Sequence, residues 1–171
     1  MITEKNVIKC EAVFNKEHTH RYLWRRVWDK EKPIVTVIML NPCMADNIVT
    51  DTTTFLVVNN IAKFERYGGV EILNLYSKIT SKLRFSEESD KELNDKENDT
   101  YILKSVESSE QTILAWGKAT NTNARIEERA VEVINLLKPY RDKLYVITDG
   151  VRTGLHPLTP SVRGEWILNK V

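Results

Sequence analysis

Val35-Thr36-Val37-Ile38-Met39-Leu40-Asn41-Pro42 is an apolar, β-branched run that stops at an Asn-Pro step and passes into a polar loop over 43–54. A run that is apolar on both alternating sets of positions predicts a strand covered on both faces, as in a parallel sheet between helices. Pro42 has no N–H for a ladder bond and disfavours helical geometry at Asn41. Pairing is therefore expected to end there, with the carboxamide off the strand's C-terminal end. Open α/β sheets hold their ligands at that edge.

Three further buried runs follow, over 70–76, 111–117 and 144–148, and helical patterns separate them. Over 53–67, Phe55, Val58, Ile61, Ala62 and Phe64 recur at helical spacing, and Gly68-Gly69 is expected to cap that helix. A second helix is expected over 98–109. A third over 123–137 carries Ile126, Ala130, Val133, Ile134 and Leu137 on one stripe and stops before Pro139. Upstream, 8–14 and 21–28 alternate as strands, the second with Tyr22, Trp24, Arg26 and Trp28 on one face and Arg21, Leu23, Arg25 and Val27 on the other. The charged, apolar-poor stretch 80–99 reads as a surface loop or lid, and 162–168 as a short terminal helix. Strands separated by helices predict an α/β three-layer sandwich with a central, mostly parallel sheet, as a single domain over 1–171.

Lys plus Arg number 25 and Asp plus Glu 24, a net of +1, so global charge argues neither for nor against nucleic acid. Cys10 and Cys43 lie far apart without His or Cys at ligand spacing, so neither a zinc site nor a structural disulfide is expected. No cofactor is implied. No apolar stretch approaches ~20 residues and Met1-Ile2-Thr3-Glu4-Lys5 lacks a signal-peptide pattern, so no membrane partner and a cytoplasmic location are expected.

Four strand ends deliver polar or glycine-containing loops: Asn41-Pro42, Asn74, Trp116-Gly117 and, after the fourth strand, His156-Pro157. In a parallel sheet those ends share one edge, so two carboxamides and an imidazole converge on one pocket. Each has a structural alternative. Asn41 can cap a turn, Asn74 can satisfy a neighbouring loop, Trp116 can be core, and Asp46 or Asp51 can cap the following helix. Arg21, Arg25, Arg26 and Arg163 have the chemistry for a phosphate contact, with a solvated or partly paired strand face the alternative for the first three, and Cys43 is an unpaired loop cysteine at the pocket mouth.

Arg21-Tyr22-Leu23, Met39-Leu40-Asn41-Pro42, Asp51, Gly68-Gly69, Asn74-Leu75-Tyr76, Ala115-Trp116-Gly117 and His156-Pro157-Leu158 together resemble the uncharacterised DUF1643 family. A more distant resemblance is to the uracil-DNA glycosylase superfamily. Leu40-Asn41-Pro42 resembles its Ile-Asn-Pro water-activating motif, and Val70-Glu71-Ile72-Leu73-Asn74 the strand whose asparagine reads the base. Leu114-Ala115-Trp116-Gly117 resembles the Leu-Leu-Trp-Gly segment, and His156-Pro157-Leu158-Thr159-Pro160-Ser161 the histidine loop. That resemblance implies a glycosylase-like fold and a hydrolase or glycosidase cleaving the N-glycosidic bond of a modified or mispaired base. Asn41, Asp46 or Asp51 would activate water, and His156 would stabilise the departing base. Asn74 would read the base, Phe55, Tyr76 or Trp116 would stack on it, and Pro42, Cys43, Gly117 and Arg163 would complete the substrate site. The partners implied are a nucleobase, a nucleotide or DNA. A binding protein that sequesters a nucleotide or recognises a modified base without turnover is the alternative, and an interaction protein on the same scaffold a third class.

Overall fold

The computed structural model describes residues 1–43 and 48–171. Among these, one sheet is built from β1 (Lys9–Phe14), β2 (Arg21–Val27), β3 (Ile34–Met39), β4 (Gly69–Asn74), β5 (Gln111–Leu114), β6 (Leu144–Thr148) and β7 (Ile167–Lys170). The spatial order is β1-β2-β4-β3-β5-β6-β7. The four central strands, β4-β3-β5-β6, pair in parallel, whereas β1 with β2, β2 with β4 and β6 with β7 are antiparallel.

The sheet is thus mixed rather than mostly parallel. The buried runs foretell only its centre. The N-terminal strands form a hairpin, closed where Asn15 Oδ1 accepts from the backbone N–H of Thr19 at 2.8 Å and His20 at 2.9 Å. At the other edge, the terminal helix expected over 162–168 is replaced by a 3₁₀ turn (Pro160–Val162) and β7, whose four residues are too few to show a period.

Helices lie on both faces: α1 (Thr52–Lys63), the single turn α2 (Asp90–Leu93), α3 (Asn98–Ser108) and α4 (Ala124–Leu136). Val35, Val37 and Met39 pack with Val70, Ile72, Ile113 and Ile147 against Val57 and Ile61 of α1 and against Trp166. The alternate residues Ile38, Leu73, Leu114 and Leu144 meet Ile102 and Val106 of α3 and Ile126, Ala130 and Val133 of α4. Strand residues apolar on both faces are therefore buried on both, which is why the 35–39 run has no polar face.

Two local expectations need correction. α1 stops at Phe64, followed by Glu65 at φ 44°, and not at Gly68-Gly69. Those glycines instead permit a close crossing. The N–H groups of Trp28 and Asp29 donate to the Gly68 carbonyl at 2.8 and 2.9 Å, and a Cβ on Gly68 would sit 1.8 Å from the Asp29 carbonyl oxygen. In β2, Phe14 pairs with Arg21 and Val13 with Leu23, so Tyr22 is the extra residue of a bulge. The expected alternation breaks there. Tyr22 stacks on Tyr101 of α3 with ring centroids 5.1 Å apart, and Arg21 turns to the face of Met39.

The stretch 80–99 is anchored scaffold. Leu93 is fully buried, Ser89 and Glu92 form a reciprocal capping box, and Arg125 of α4 donates to the carbonyls of Phe85 and Glu88.

Candidate functional site

The C-terminal ends of β3 and β5 and the loop after β6 enclose a cavity of about 480 Å³. Asn41, Cys43 and Asp51 line it from the β3 side, Trp116 and Lys118 from the β5 side, and His156 and Leu158 from the last loop, with Arg21 and Met39 between. Of the residues singled out from sequence, Asn41, Cys43, Asp51, Trp116 and His156 come together there. Asp46 lies outside the described residues.

Backbone contacts fix what the polar groups present. The Asn41 Nδ2 donates to the Thr80 carbonyl at 2.7 Å, which turns its Oδ1 into the end left to accept. The Leu158 N–H donates to His156 Nδ1 at 3.1 Å, so the neutral ring carries its proton on Nε2. Burial lowers the His156 pKa from its ordinary value, with Asp51 opposing, so the neutral form is favoured. Gly117, at φ 67°, lets the two loops touch, because a Cβ there would meet the His156 Cβ at 2.7 Å.

Asp51 is the N-cap of α1. Its Oδ1 accepts from the Thr54 N–H at 2.9 Å and its Oδ2 from the Thr54 hydroxyl at 3.1 Å. The Cys43 thiol is pushed up by burial and by Asp51, against a smaller opposing effect of Arg21, which disfavours the thiolate a nucleophile needs. Burial draws the Arg21 guanidinium down to about 10, with Asp51 and Cys43 favouring its charge, and a group with that value is still a full cation at neutral pH.

Asn74 ends β4 in register with Met39, which lines the cavity, but is itself 1% exposed and not among the lining residues. Neither its Oδ1 nor its Nδ2 meets a partner among the described residues. Its backbone carbonyl is held by the Asn98 Nδ2 at 3.0 Å, which locks the strand end while leaving the carboxamide uncommitted.

The other candidates sit elsewhere. Phe55 is exposed on α1 and does not line the cavity. Pro42 is buried behind Asn41, its carbonyl accepting from the Thr80 N–H at 3.1 Å. Arg163 is exposed and braces the histidine loop, its Nε donating to the Leu158 carbonyl at 2.8 Å. Tyr76 lines a different cavity of about 620 Å³ between the 90–96 stretch and α4, with its hydroxyl donating to the Arg125 carbonyl at 2.8 Å. The arginines of that larger cavity are already committed, Arg125 to Asp90 and Arg129 to Asp99 and Glu132. The smaller cavity, which brings Asn41, Trp116 and His156 together from three chain segments, is the candidate site. Sequence reasoning weighed Arg21 only as one of three strand arginines with the chemistry for a phosphate contact, without placing it at this cavity, and gave Lys118 no role. The bulge hid the first, and nothing in sequence distinguishes the second from a surface lysine.

Comparison with known proteins gives one match: the family described as "Protein of unknown function (DUF1643)" covers residues 21–158. The chain belongs to this family. Its match spans every strand that builds the cavity and every described residue that lines it. No curated protein and no solved structure matches. Among the described residues, no helix is long and apolar enough to cross a membrane.

Proposed function

We propose that the strand-end cavity binds a nucleobase or nucleotide, on a scaffold akin to the uracil-DNA glycosylase superfamily, and cleaves the N-glycosidic bond of a modified or mispaired base. The observation that carries this is the convergence of Asn41, Trp116 and His156, from three separate chain segments, on one cavity of about 480 Å³. That volume suits a ligand of nucleoside or nucleotide size.

In this mechanism Asn41 Oδ1 orients a water toward the sugar carbon. The water oxygen bonds to that carbon as the carbon–nitrogen bond breaks, and the bonding pair leaves with the base. His156 Nε2–H donates to the base oxygen on which negative charge grows, an interaction strongest in the transition state. The proton lost by water passes to solvent, since a carboxamide cannot hold it. Asn74 supplies two donors and an acceptor for the base edge, and Trp116 offers a stacking surface. If the base comes from a duplex, it must first be extruded.

A second reading, a nucleotide- or modified-base-binding protein without turnover, is favoured by Asp51. Both of its oxygens serve the cap of α1, so the described cavity lacks a strong general base. One experiment separates the two. Wild type, Asn41→Ala and Asn74→Ala are titrated with nucleobases, nucleosides and short single-stranded DNA, and released base is followed by chromatography. Hydrolysis predicts that Asn41→Ala keeps affinity and loses release, while Asn74→Ala loses affinity. Affinity without release in any variant supports the binder, and no binding at all refutes both.

A further inference from the structure

We infer that β1 pairs antiparallel with β1 of a second copy of this chain, extending the sheet across a two-fold axis that passes beside Cys10.

β1 ends the sheet, with β2 on one side and no strand on the other among the described residues. The backbone N–H and C=O groups on its outer side are therefore open to another strand. Edges that stay single are commonly blunted by proline, a bulge or shortness. β1 has six residues and no proline, and the extra residue of its bulge belongs to β2. Its two charges, Lys9 and Glu11, are of opposite sign, so they bar a mismatched strand without barring a complementary one. Just before β1, Val7 and Ile8 are 86% and 55% exposed, because Lys9 already pairs with Val27, the last residue of β2.

Symmetry and charge together select the occupant and its register. A two-fold axis relating antiparallel neighbours stands perpendicular to the sheet, so each side chain meets one on its own face. Faces alternate along a strand, and the axis must therefore pass beside a residue rather than between two. An axis at Lys9 or Glu11 sets like charges opposite each other, and one at Ala12 sets Glu11 against Val13. At Cys10 every pair is matched: Lys9 meets the second copy's Glu11, Ile8 its Ala12 and Val7 its Val13. Ala12 packs on the first core cluster and Val13 on the second, so both exposed apolar residues gain neighbours rooted in a core.

The charges across the sheet point the same way. Glu71, Arg25 and Glu11 stand side by side on β4, β2 and β1. Arg25 Nε donates to Glu71 at 2.6 Å, while Arg25 Nη1 keeps only a looser ion pair of 3.8 Å with Glu11 at the edge. The second copy's Lys9 is the cation that continues this alternation.

The test is analytical ultracentrifugation of the full chain over a range of concentrations. Wild type is expected to associate to a dimer. Lys9→Glu and Glu11→Lys each set like charges opposite at two symmetric pairs, and each should weaken the dimer at least about tenfold. Mixed in equal amounts, the two variants should form a heterodimer, because one then carries two acids and the other two bases along the paired strand. Lys9 is exposed and Glu11 half-exposed, so the substitutions spare both cores, and a thermal melt confirms that each variant is folded. Wild type with the mass of one chain at every concentration overturns the proposal and leaves the edge to an extended segment of a different protein. A dimer that neither variant weakens, or a mixture that stays monomeric, places the contact elsewhere and overturns it as well.

Discussion

Asn74→Val should make the protein more stable and less able to bind. The native carboxamide is 1% exposed, with neither polar atom partnered among the described residues. A buried polar group without a hydrogen bond costs about 1–3 kcal/mol by mutational measures, and replacing it with an apolar group of similar size recovers that cost. Valine suits a strand and packs beside Ile72 on the first core cluster, so no propensity penalty offsets the gain. For a chain of this length each kcal/mol moves Tm by about 2–4 °C, which puts the expected rise at about 2–12 °C. The assay is a reversible thermal or urea melt of ligand-free wild type and variant, paired with a nucleoside titration in which the variant loses affinity. A fall in Tm of a few degrees would refute the reasoning. It would mean that the carboxamide is satisfied in the folded protein, and that Asn74 holds the fold rather than waiting for a ligand.

Gly117→Ala should destabilise by at least about 1 kcal/mol, because φ 67° strains an L residue and the new methyl meets the His156 Cβ at 2.7 Å; chemical denaturation measures the loss. Asp51→Ala removes the cap of α1 and should cost about 1 kcal/mol. Because Asp51 raises the His156 pKa, the same variant should lower it further, as an NMR titration of the imidazole would show. His20 and His156 are both lowered by burial, so the unfolded chain binds more protons than the folded one as pH falls through the ordinary histidine range. Their contribution is complete above about pH 6.5 and is lost below it. Melts from pH 8 to pH 5 should show Tm falling, and His156→Asn, which retains an acceptor for the Leu158 N–H, should flatten the fall; an unchanged slope would exclude His156 as a source.

The central strands were legible because burial on both faces writes itself into residue type. Val35, Val37 and Ile38 could hardly lie anywhere else, and the Asn41-Pro42 stop marks the edge where the cavity opens. The antiparallel flanks were less legible. β7 has one residue, Leu168, packed against a core and otherwise reads as a polar tail, so only its pairing with β6 makes it a strand. Arg21 illustrates a different limit. One extra residue in β2 inverts the facing of everything before it, and no periodicity within eight residues reveals where such a bulge falls. Tyr76 was drawn to the site by its place two residues after Asn74. The strand continues past its last pair into Leu75 and Tyr76, and the ring turns to the second core cluster.

The choice between hydrolase and binder turns on how the polar groups are held. Thr80 fixes the orientation of the Asn41 amide and Leu158 fixes the tautomer of His156, so the cavity offers one acceptor and one donor whose directions need no reorganisation. Such preorganisation lowers a barrier only if the leaving base can already accept the electron pair, since a missing general base forfeits about 10²–10⁴ in rate. A base that is a poor leaving group would therefore remain bound and uncleaved, whereas one activated by modification would be released slowly. The same fixed dipoles thus account for a slow enzyme on an activated substrate and for a tight binder of an ordinary one. Comparing base release for a modified base that leaves readily and for its unmodified parent distinguishes these outcomes: release only from the activated compound, lost in Asn41→Ala, is what a water-orienting carboxamide without a base must produce.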